Sequence, residues 1–358
     1  MNKKILSLLM ATALMATCLV GCGSKASDET STATETEVTE ETTETADEAI
    51  PETPAEAVDI KVAALKGPTA MGMVKLMDDS DKGDTATNHY TFTISAAPDE
   101  ITPQIIQGNV DIAAVPANLA SVLYNKTEGQ VQVLAINTLG VLYIVENGET
   151  VKSVDDLKGK TIYASGKGAT PEYALNYMLS SYGINPQKDV TIEYKAEHAE
   201  CVSALLNDDN GVAMLPQPFA TTALMQNENM RLAIDMTTEW ENIANANDSN
   251  TTLVTGVVVA RKAFVDEHPE AVKLFMEQYE ASTKYTNDNI EDASALIENY
   301  DIIKAAVAQK AIPYCNITFI SGDDMKEKLG GYLDELFNQN PEAVGGQVPA
   351  DEFYYIEK

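Results

Sequence analysis

One succession of elements is written twice along this chain, and it limits the fold more than any single motif does. Residues 58–65, VDIKVAAL, alternate in the manner of a half-buried strand. They run into a glycine-bearing loop, Lys66-Gly67-Pro68-Thr69-Ala70-Met71-Gly72, and then into helix-spaced apolar residues 73–77. Residues 160–164 repeat the opening: a short β-branched and aromatic run feeds Ser165-Gly166-Lys167-Gly168. Thr170 is then predicted as an N-cap, with Pro171 at the first helical position and Glu172 suited to the positive helix end. In the first half there follow a strand at 90–94, a helix carrying Ile101, Ile105 and Ile106, a strand at 110–115 ending in Pro116-Ala117-Asn118, a helix, and a strand at 131–137. In the second half the counterparts are a strand at 189–194, a helix at 195–206, a strand at 211–215 ending in Pro216, a helix opened by Gln217-Pro218-Phe219, and a strand at 230–235.

Short apolar strands alternating with helices imply a mostly parallel sheet covered on both faces. Two such runs imply an α/β protein of two similar lobes with a hinge and an interlobe cleft. Ligands in open α/β sheets bind outside the carboxyl ends of the strands. If both lobes turn those ends inward, the loops named above line one cleft. The β-branched run 252–260 reads as the return crossover, and helices predicted at 262–284, 290–298, 301–309 and 323–337 should pack on the first lobe as structural support. The expected division is lobe 1 at 59–150, lobe 2 at 151–250, and a return to lobe 1 at 251–358.

The N-terminal residues read differently. Lys3-Lys4 precede an apolar run at 5–20, too short for a comfortable membrane span, so residues 1–21 are predicted to be a signal peptide. The run ends in Leu19-Val20-Gly21-Cys22, which resembles the bacterial lipobox; it implies lipidation at Cys22 and anchoring through acyl chains. Residues 22–58, rich in Thr, Glu, Ser and Ala, cannot bury enough apolar surface to order themselves and are expected to form a disordered acidic tether. Net charge is −31; the three bases and twelve acids of residues 1–59 account for −9 and leave −22 on the rest. That balance speaks against nucleic acid and against adhesion to anionic lipid. Cys201 and Cys315 remain after Cys18 and Cys22 and read as two separately buried thiols, although an oxidising exterior would also permit their pairing.

Four segments carry a resemblance. They are Val154-Asp155-Asp156-Leu157-Lys158-Gly159-Lys160, Gly108-Asn109-Val110-Asp111-Ile112-Ala113, the run 211–219 (GVAMLPQPF), and the run 263–272 (AFVDEHPEAV). In this order they resemble the lipoprotein solute-binding components of ABC importers, with the type II periplasmic-binding-protein fold. Within these the chain looks like the sulfonate/nitrate/taurine-like and thiamine-pyrimidine-like group, from about residue 59 to the end. The resemblance implies a monomeric, membrane-anchored protein outside the cytoplasmic membrane, an ABC permease as partner, and no cofactor, metal or catalysis. Gln217 departs from the acidic residue that many relatives carry, and the Cys-rich motif of the related pyrimidine-synthesising enzymes is absent.

The predicted ligand-binding residues are Pro68, Thr69, Ala70, Met71, Pro116, Ala117, Asn118 and Thr138 from the first lobe. Gly166, Gly168, Ala169, Thr170 and Gln217 come from the second, and Thr255 from the return crossover. Glycine permits close backbone approach, Thr and Asn give directional hydrogen bonds, and helix ends give partial positive charge. Residues 197–201 (EHAEC) read as a helix start with a solvated acidic face. Tyr143, Tyr163, Tyr173 and Phe219 could stack on a flat ligand but equally fit a core. Arg231 and Arg261, the only arginines, lie in no predicted cleft loop, which tilts the expected ligand from a sulfonate toward a neutral or heterocyclic molecule. The other classes open to such a chain are a ligand sensor for a membrane receptor and a surface enzyme of the same fold.

Overall fold

The computed structural model describes residues 57–249 and 251–357. The predicted signal peptide, Cys22 and nearly all of the tether lie outside them. The elements in chain order are β1 (Val58–Leu65), α1 (Pro68–Met71), α2 (Val74–Lys82), β2 (Asn88–Ser95), α3 (Pro98–Ile106), β3 (Ile112–Pro116), α4 (Ala117–Lys126), β4 (Val131–Leu139) and β5 (Leu142–Asn147). Next come β6 (Thr161–Ala164), α5 (Thr170–Ser181), β7 (Thr191–Tyr194), α6 (His198–Leu206), β8 (Val212–Pro216), α7 (Phe219–Gln226), β9 (Met230–Asp235) and α8 (Met236–Ala246). The last are β10 (Val254–Arg261), α9 (Lys262–Glu267), α10 (Pro269–Asp288), α11 (Ile290–Asn299), α12 (Ala305–Ala311), β11 (Ile317–Ile320) and α13 (Gly322–Gln339).

Two sheets result, ordered β11-β4-β10-β3-β1-β2 and β7-β6-β8-β5-β9. In the first, β1 to β4 run one way and β10 and β11 run against them. In the second, only β5 opposes the rest. Strand β10 shows why its unbroken apolar run suits a central position: Val257 and Val259 face one hydrophobic layer, Val258 and Ala260 the other. The chain passes from the first sheet to the second at Gly140–Val141, so β5 belongs to the second lobe and the expected boundary at residue 150 is too late. It returns after α8, and the carboxyl ends of β1 to β4 and of β6 to β9 mark one end of each sheet.

Three elements depart from expectation for physical reasons. The helix expected over 262–284 breaks at His268-Pro269, because proline has no N–H to continue the ladder and disfavours helix in the residue before it. The helix α8, unread in the sequence, is started by Asp235, whose carboxylate accepts the N–H groups of Thr237 and Thr238. The expectation that the C-terminal helices serve the first lobe alone also needs amending. Helix α13 packs on α4, β4 and β10, yet its Tyr332 ring lies 5.6 Å from Trp240 of α8.

Candidate functional site

The chain crosses between the lobes where glycine is required. A Cβ on Gly140 would overlap Thr237 Oγ1 and come within 2.8 Å of Leu253 Cδ2, so the two crossovers touch only because residue 140 has no side chain. Asn316 Nδ2 donates to the Gly140 carbonyl (2.6 Å) and the Gln217 N–H to that of Val141 (2.9 Å). One strap is thus held from both lobes.

On the first lobe the carboxyl ends of β1, β3 and β4 and the start of β10 gather a compact polar floor. Thr69 Oγ1 donates to the Leu65 carbonyl (3.0 Å), Asn137 Nδ2 to the Thr69 carbonyl (3.4 Å), and Thr138 Oγ1 to Asn137 Oδ1 (3.1 Å). Gly256 lets them close up: a Cβ there would sit 2.6 Å from Asn137 Oδ1 and 2.7 Å from Thr69 Cγ2. Thr255 Oγ1, beside it, is buried with no hydrogen-bond partner. Pro116 pairs with Gly256 across the sheet, and Asn118 follows in the first turn of α4.

Ala70, Met71 and Ala117 do not join this surface. All three are fully buried in the hydrophobic layers, and the N–H groups of Ala70 and Met71 already donate to the Gly67 carbonyl (3.0 and 3.1 Å). Loop position predicts them, but the four-residue α1, so close to the sheet, turns Ala70 and Met71 inward, and Ala117 opens α4 on its buried face. Pro68 remains partly exposed at its start.

The second lobe contributes the β6–α5 loop. Gly166 and Gly168 adopt φ of 74° and 78°, a region that favours glycine. The Gly168 N–H donates to Glu172 Oε2 (2.5 Å) and that of Ala169 to the Gly166 carbonyl (3.1 Å). Two of the donors expected to greet an anion, the N–H groups of Gly168 and Ala169, are therefore already satisfied within the loop. Ala169, not Thr170, is the N-cap, and it caps without a side-chain bond. Thr170 points elsewhere: its hydroxyl donates to Asn118 Oδ1 across the seam (3.3 Å) and accepts from Tyr332 OH (3.2 Å). Two predicted residues from opposite lobes thus meet directly.

Gln217 directly follows β8 and is 2% exposed. Its Oε1 accepts from the Thr221 N–H (3.2 Å) and hydroxyl (2.8 Å). Because a backbone N–H must meet oxygen, this fixes the amide's orientation and leaves Nε2 buried without a partner.

Sequence reasoning gave neither Ser165 nor His198 a place at these strand ends. The two side chains hydrogen-bond at the carboxyl end of β6, and the His198 ring lies 5.0 Å from Phe219. Burial pushes the His198 imidazole below its ordinary value, against the pull of Glu197. Cys201 behind it is fully buried, and burial pushes its thiol up. The expected helix start with a solvated acidic face is present, since α6 begins at His198 and both acids, Glu197 and Glu200, are exposed, the latter accepting the Ala196 N–H (3.0 Å). Ser165 follows a strand end just as the predicted residues do; His198 gave no local signal. Of the aromatic candidates only Phe219 faces this group, since Tyr143 bonds to the Tyr314 carbonyl (2.8 Å), Tyr163 to Asp208 (3.2 Å) and Tyr173 to the Gly168 carbonyl (3.3 Å).

An open groove of about 800 Å³ runs along α5 and β7, lined by Lys167, Glu172, Asn176, Gln187 and Tyr194. All its walls come from one lobe. The seam between Thr69, Asn118, Thr138 and Thr255 on one side and Ser165, Thr170, His198 and Gln217 on the other draws on both sheets, at the strand ends where such folds bind ligands.

Comparison with solved structures finds the same architecture. An ABC transporter protein from Parabacteroides distasonis superposes with a TM-score of 0.70 at 22% identity, over 84% of this chain and 99% of the other. The periplasmic aliphatic sulphonate binding protein SsuA from Escherichia coli gives 0.63 at 15% identity, over 82% and 95%. The alkanesulfonate-binding protein SsuA from Xanthomonas axonopodis pv. citri, bound to MOPS, gives 0.58 at 13%, over 83% and 96%. At these identities the likeness establishes the fold. Comparison with curated proteins finds no match. Residues 85–311, more than half of the chain, match the profile of a family described as ABC transporter, phosphonate, periplasmic substrate-binding protein, and the chain belongs to that family.

Proposed function

We propose that this protein captures a small solute between its lobes by hinge closure and delivers it to an ABC permease, while held at the outer face of the cytoplasmic membrane through a lipidated Cys22. The observation that carries the reading is the Thr170–Asn118 contact, in which the loop of one sheet reaches the helix start of the other (3.3 Å). A two-state jaw of this kind has its ligand at the interface and its moving parts at the crossovers. The residues proposed to meet the solute are Pro68, Thr69, Pro116, Asn118, Thr138 and Thr255 on one side. Gly166, Gly168, Ala169, Thr170 and Gln217 face them, joined by Ser165 and His198. No covalent step is required of them.

Native mass spectrometry of the purified protein, followed by thermal shift with the solute it retains, tests this. The expected result is a retained small molecule and a saturable rise in Tm that Asn118→Ala or Thr170→Val weakens about tenfold in apparent Kd, the loss of roughly 1.4 kcal/mol. No retained solute, or an unchanged response in both variants, would sink the assignment of the seam. Palmitate labelling of wild type but not Cys22→Ser would support the anchor.

A further inference from the structure

We infer that the cleft takes a solute that is uncharged where it meets the second lobe, an amide or heterocycle offering a carbonyl or ring-nitrogen acceptor to Gln217 Nε2, and not a phosphonate or sulfonate. This rests on the solute-binding reading above and narrows it.

An oxyanion sequestered from water needs a fixed cation or several free N–H or O–H donors, and the hydroxyls of Thr69, Thr138 and Thr170 already donate to Leu65, Asn137 and Asn118. Neither arginine can serve. Arg231, at the start of β9, donates to Glu146 Oε2 (2.7 Å) and to the carbonyls of Gly148 (3.1 Å) and Val151. Arg261, at the end of β10, donates to Asp111 Oδ1 (2.5 Å) and the Val110 carbonyl (3.1 Å). Both occupy the strand ends opposite the cleft. The lysines of the cleft loops have partners at the surface and none is fixed in the seam: Lys66 pairs with Asp301 (2.9 Å), Lys167 lies over the Tyr194 ring, and Lys195 pairs with Glu193 (3.1 Å) while lying over Tyr163.

Carboxylates, by contrast, stand close to the ends of three of the second-lobe strands. Glu172 holds the Gly168 N–H, Glu197 precedes His198, and Asp235 caps α8. An anion entering there meets these carboxylates and, at Gly168 and Ala169, N–H groups that are already bonded. A cation gains little, because Glu172 and Asp235 already accept backbone N–H groups. What the lobe leaves open is neutral: a buried amide donor at Gln217 and a hydroxyl–imidazole pair against the Phe219 ring. That set suits a flat, uncharged acceptor, whose hydrogen bond to Gln217 would satisfy an otherwise orphaned group.

Thermal shift and calorimetry with three probe sets at pH 7 provide the test. The uncharged set is uracil, thymine, cytosine and nicotinamide; the anions are methylphosphonate, 2-aminoethylphosphonate and ethanesulfonate; the cation is choline. At least one uncharged probe should raise Tm saturably, no anion and no choline should do so, and Gln217→Glu should weaken the uncharged probe at least tenfold while the unliganded Tm shows that the variant folds. Should that variant not fold, Gln217→Met, which keeps the length without the donor, takes its place with the same expectation. An anion or choline binding as well as any uncharged probe, no response within the uncharged set, or binding indifferent to residue 217 would each overturn the inference. Mass analysis of solute retained from a yeast extract separates the two claims: a retained anion overturns the neutral assignment and leaves solute binding standing, whereas no retained solute removes both.

Discussion

Glu146 has no exposed side-chain surface, yet it is ionised in company: it accepts from the Thr150 N–H (2.8 Å) and hydroxyl (2.5 Å), the Val151 N–H (3.0 Å) and Arg231 (2.7 Å). Burial pushes its carboxyl up, but these hydrogen bonds outweigh it and hold the group below the ordinary glutamate value of 4.5. A depressed carboxylate contributes stability that is fully present above its unfolded value and is lost as pH falls through the folded one. Acid titration should therefore destabilise wild type below about pH 4.5, and Glu146→Gln should flatten that part of the stability–pH profile; urea midpoints from pH 3 to 7 measure it. Arg231→Met leaves the carboxylate buried without its cation and should cost about 3 kcal/mol at pH 7. An unchanged urea midpoint would show that the backbone donors suffice alone. Gly140 is the other residue whose role is steric fact. Gly140→Ala should cost about 1–3 kcal/mol as an overpacking change, and adding Thr237→Ala should restore part of it by removing the overlapped hydroxyl. Equal midpoints for the single and double variants would contradict that geometry. Cys201 and Cys315 are both free and fully buried, as their sequence context suggested, with burial raising both thiols.

At the scale of elements, what was legible in the sequence was whatever hydrophobic period and punctuation encode locally. The strands β6, β8 and β9 and the glycine turn at Gly159 (φ 77°) needed no partner to be seen. Helix α8 was hidden because its apolar positions, Met236, Trp240, Ile243 and Ala244, are few and follow a strand without a break; Asp235 before Thr-Thr-Glu was the available sign. The cap gives a direct check. Asp235→Ala removes bonds to two N–H groups and should cost about 1 kcal/mol, while Asp235→Asn should keep most of it; thermal unfolding of the pair distinguishes capping from charge. Candidate contacts were legible to a similar degree. Loop position places Thr69, Asn118, Thr170 and Gln217 at the strand ends, but position says nothing of facing, so it also draws in Ala70, Met71 and Ala117, which point to the core. The His198–Ser165 pair joins residues on different strands' loops, and Tyr332 reaches Thr170 from 162 positions away. Only tertiary structure brings such groups together.

For the whole molecule the question is what sets the balance between parted and apposed lobes. Two tyrosine hydroxyls bridge them: Tyr143 of β5 donates to the Tyr314 carbonyl beside the crossover, and Tyr332 of α13 donates to Thr170 where Thr170 meets Asn118. Each bond contributes about 1 kcal/mol net. Removing both as Tyr143→Phe with Tyr332→Phe, which keeps the rings and their packing, should shift the equilibrium toward parted lobes by about 2 kcal/mol, roughly 30-fold. Small-angle scattering of the unliganded double variant should then give a larger radius of gyration than wild type, with the two converging once the retained solute is added back in excess. Trp240, the only tryptophan, offers an independent reading. It is buried between Tyr177 (4.2 Å between rings) and Tyr332, so loosening α13 from α8 should shift its emission to the red in the same variant. If scattering and emission both matched wild type, the tyrosine bonds would be bystanders, and the closing energy would have to come from the apolar layer that α13 shares with the two sheets.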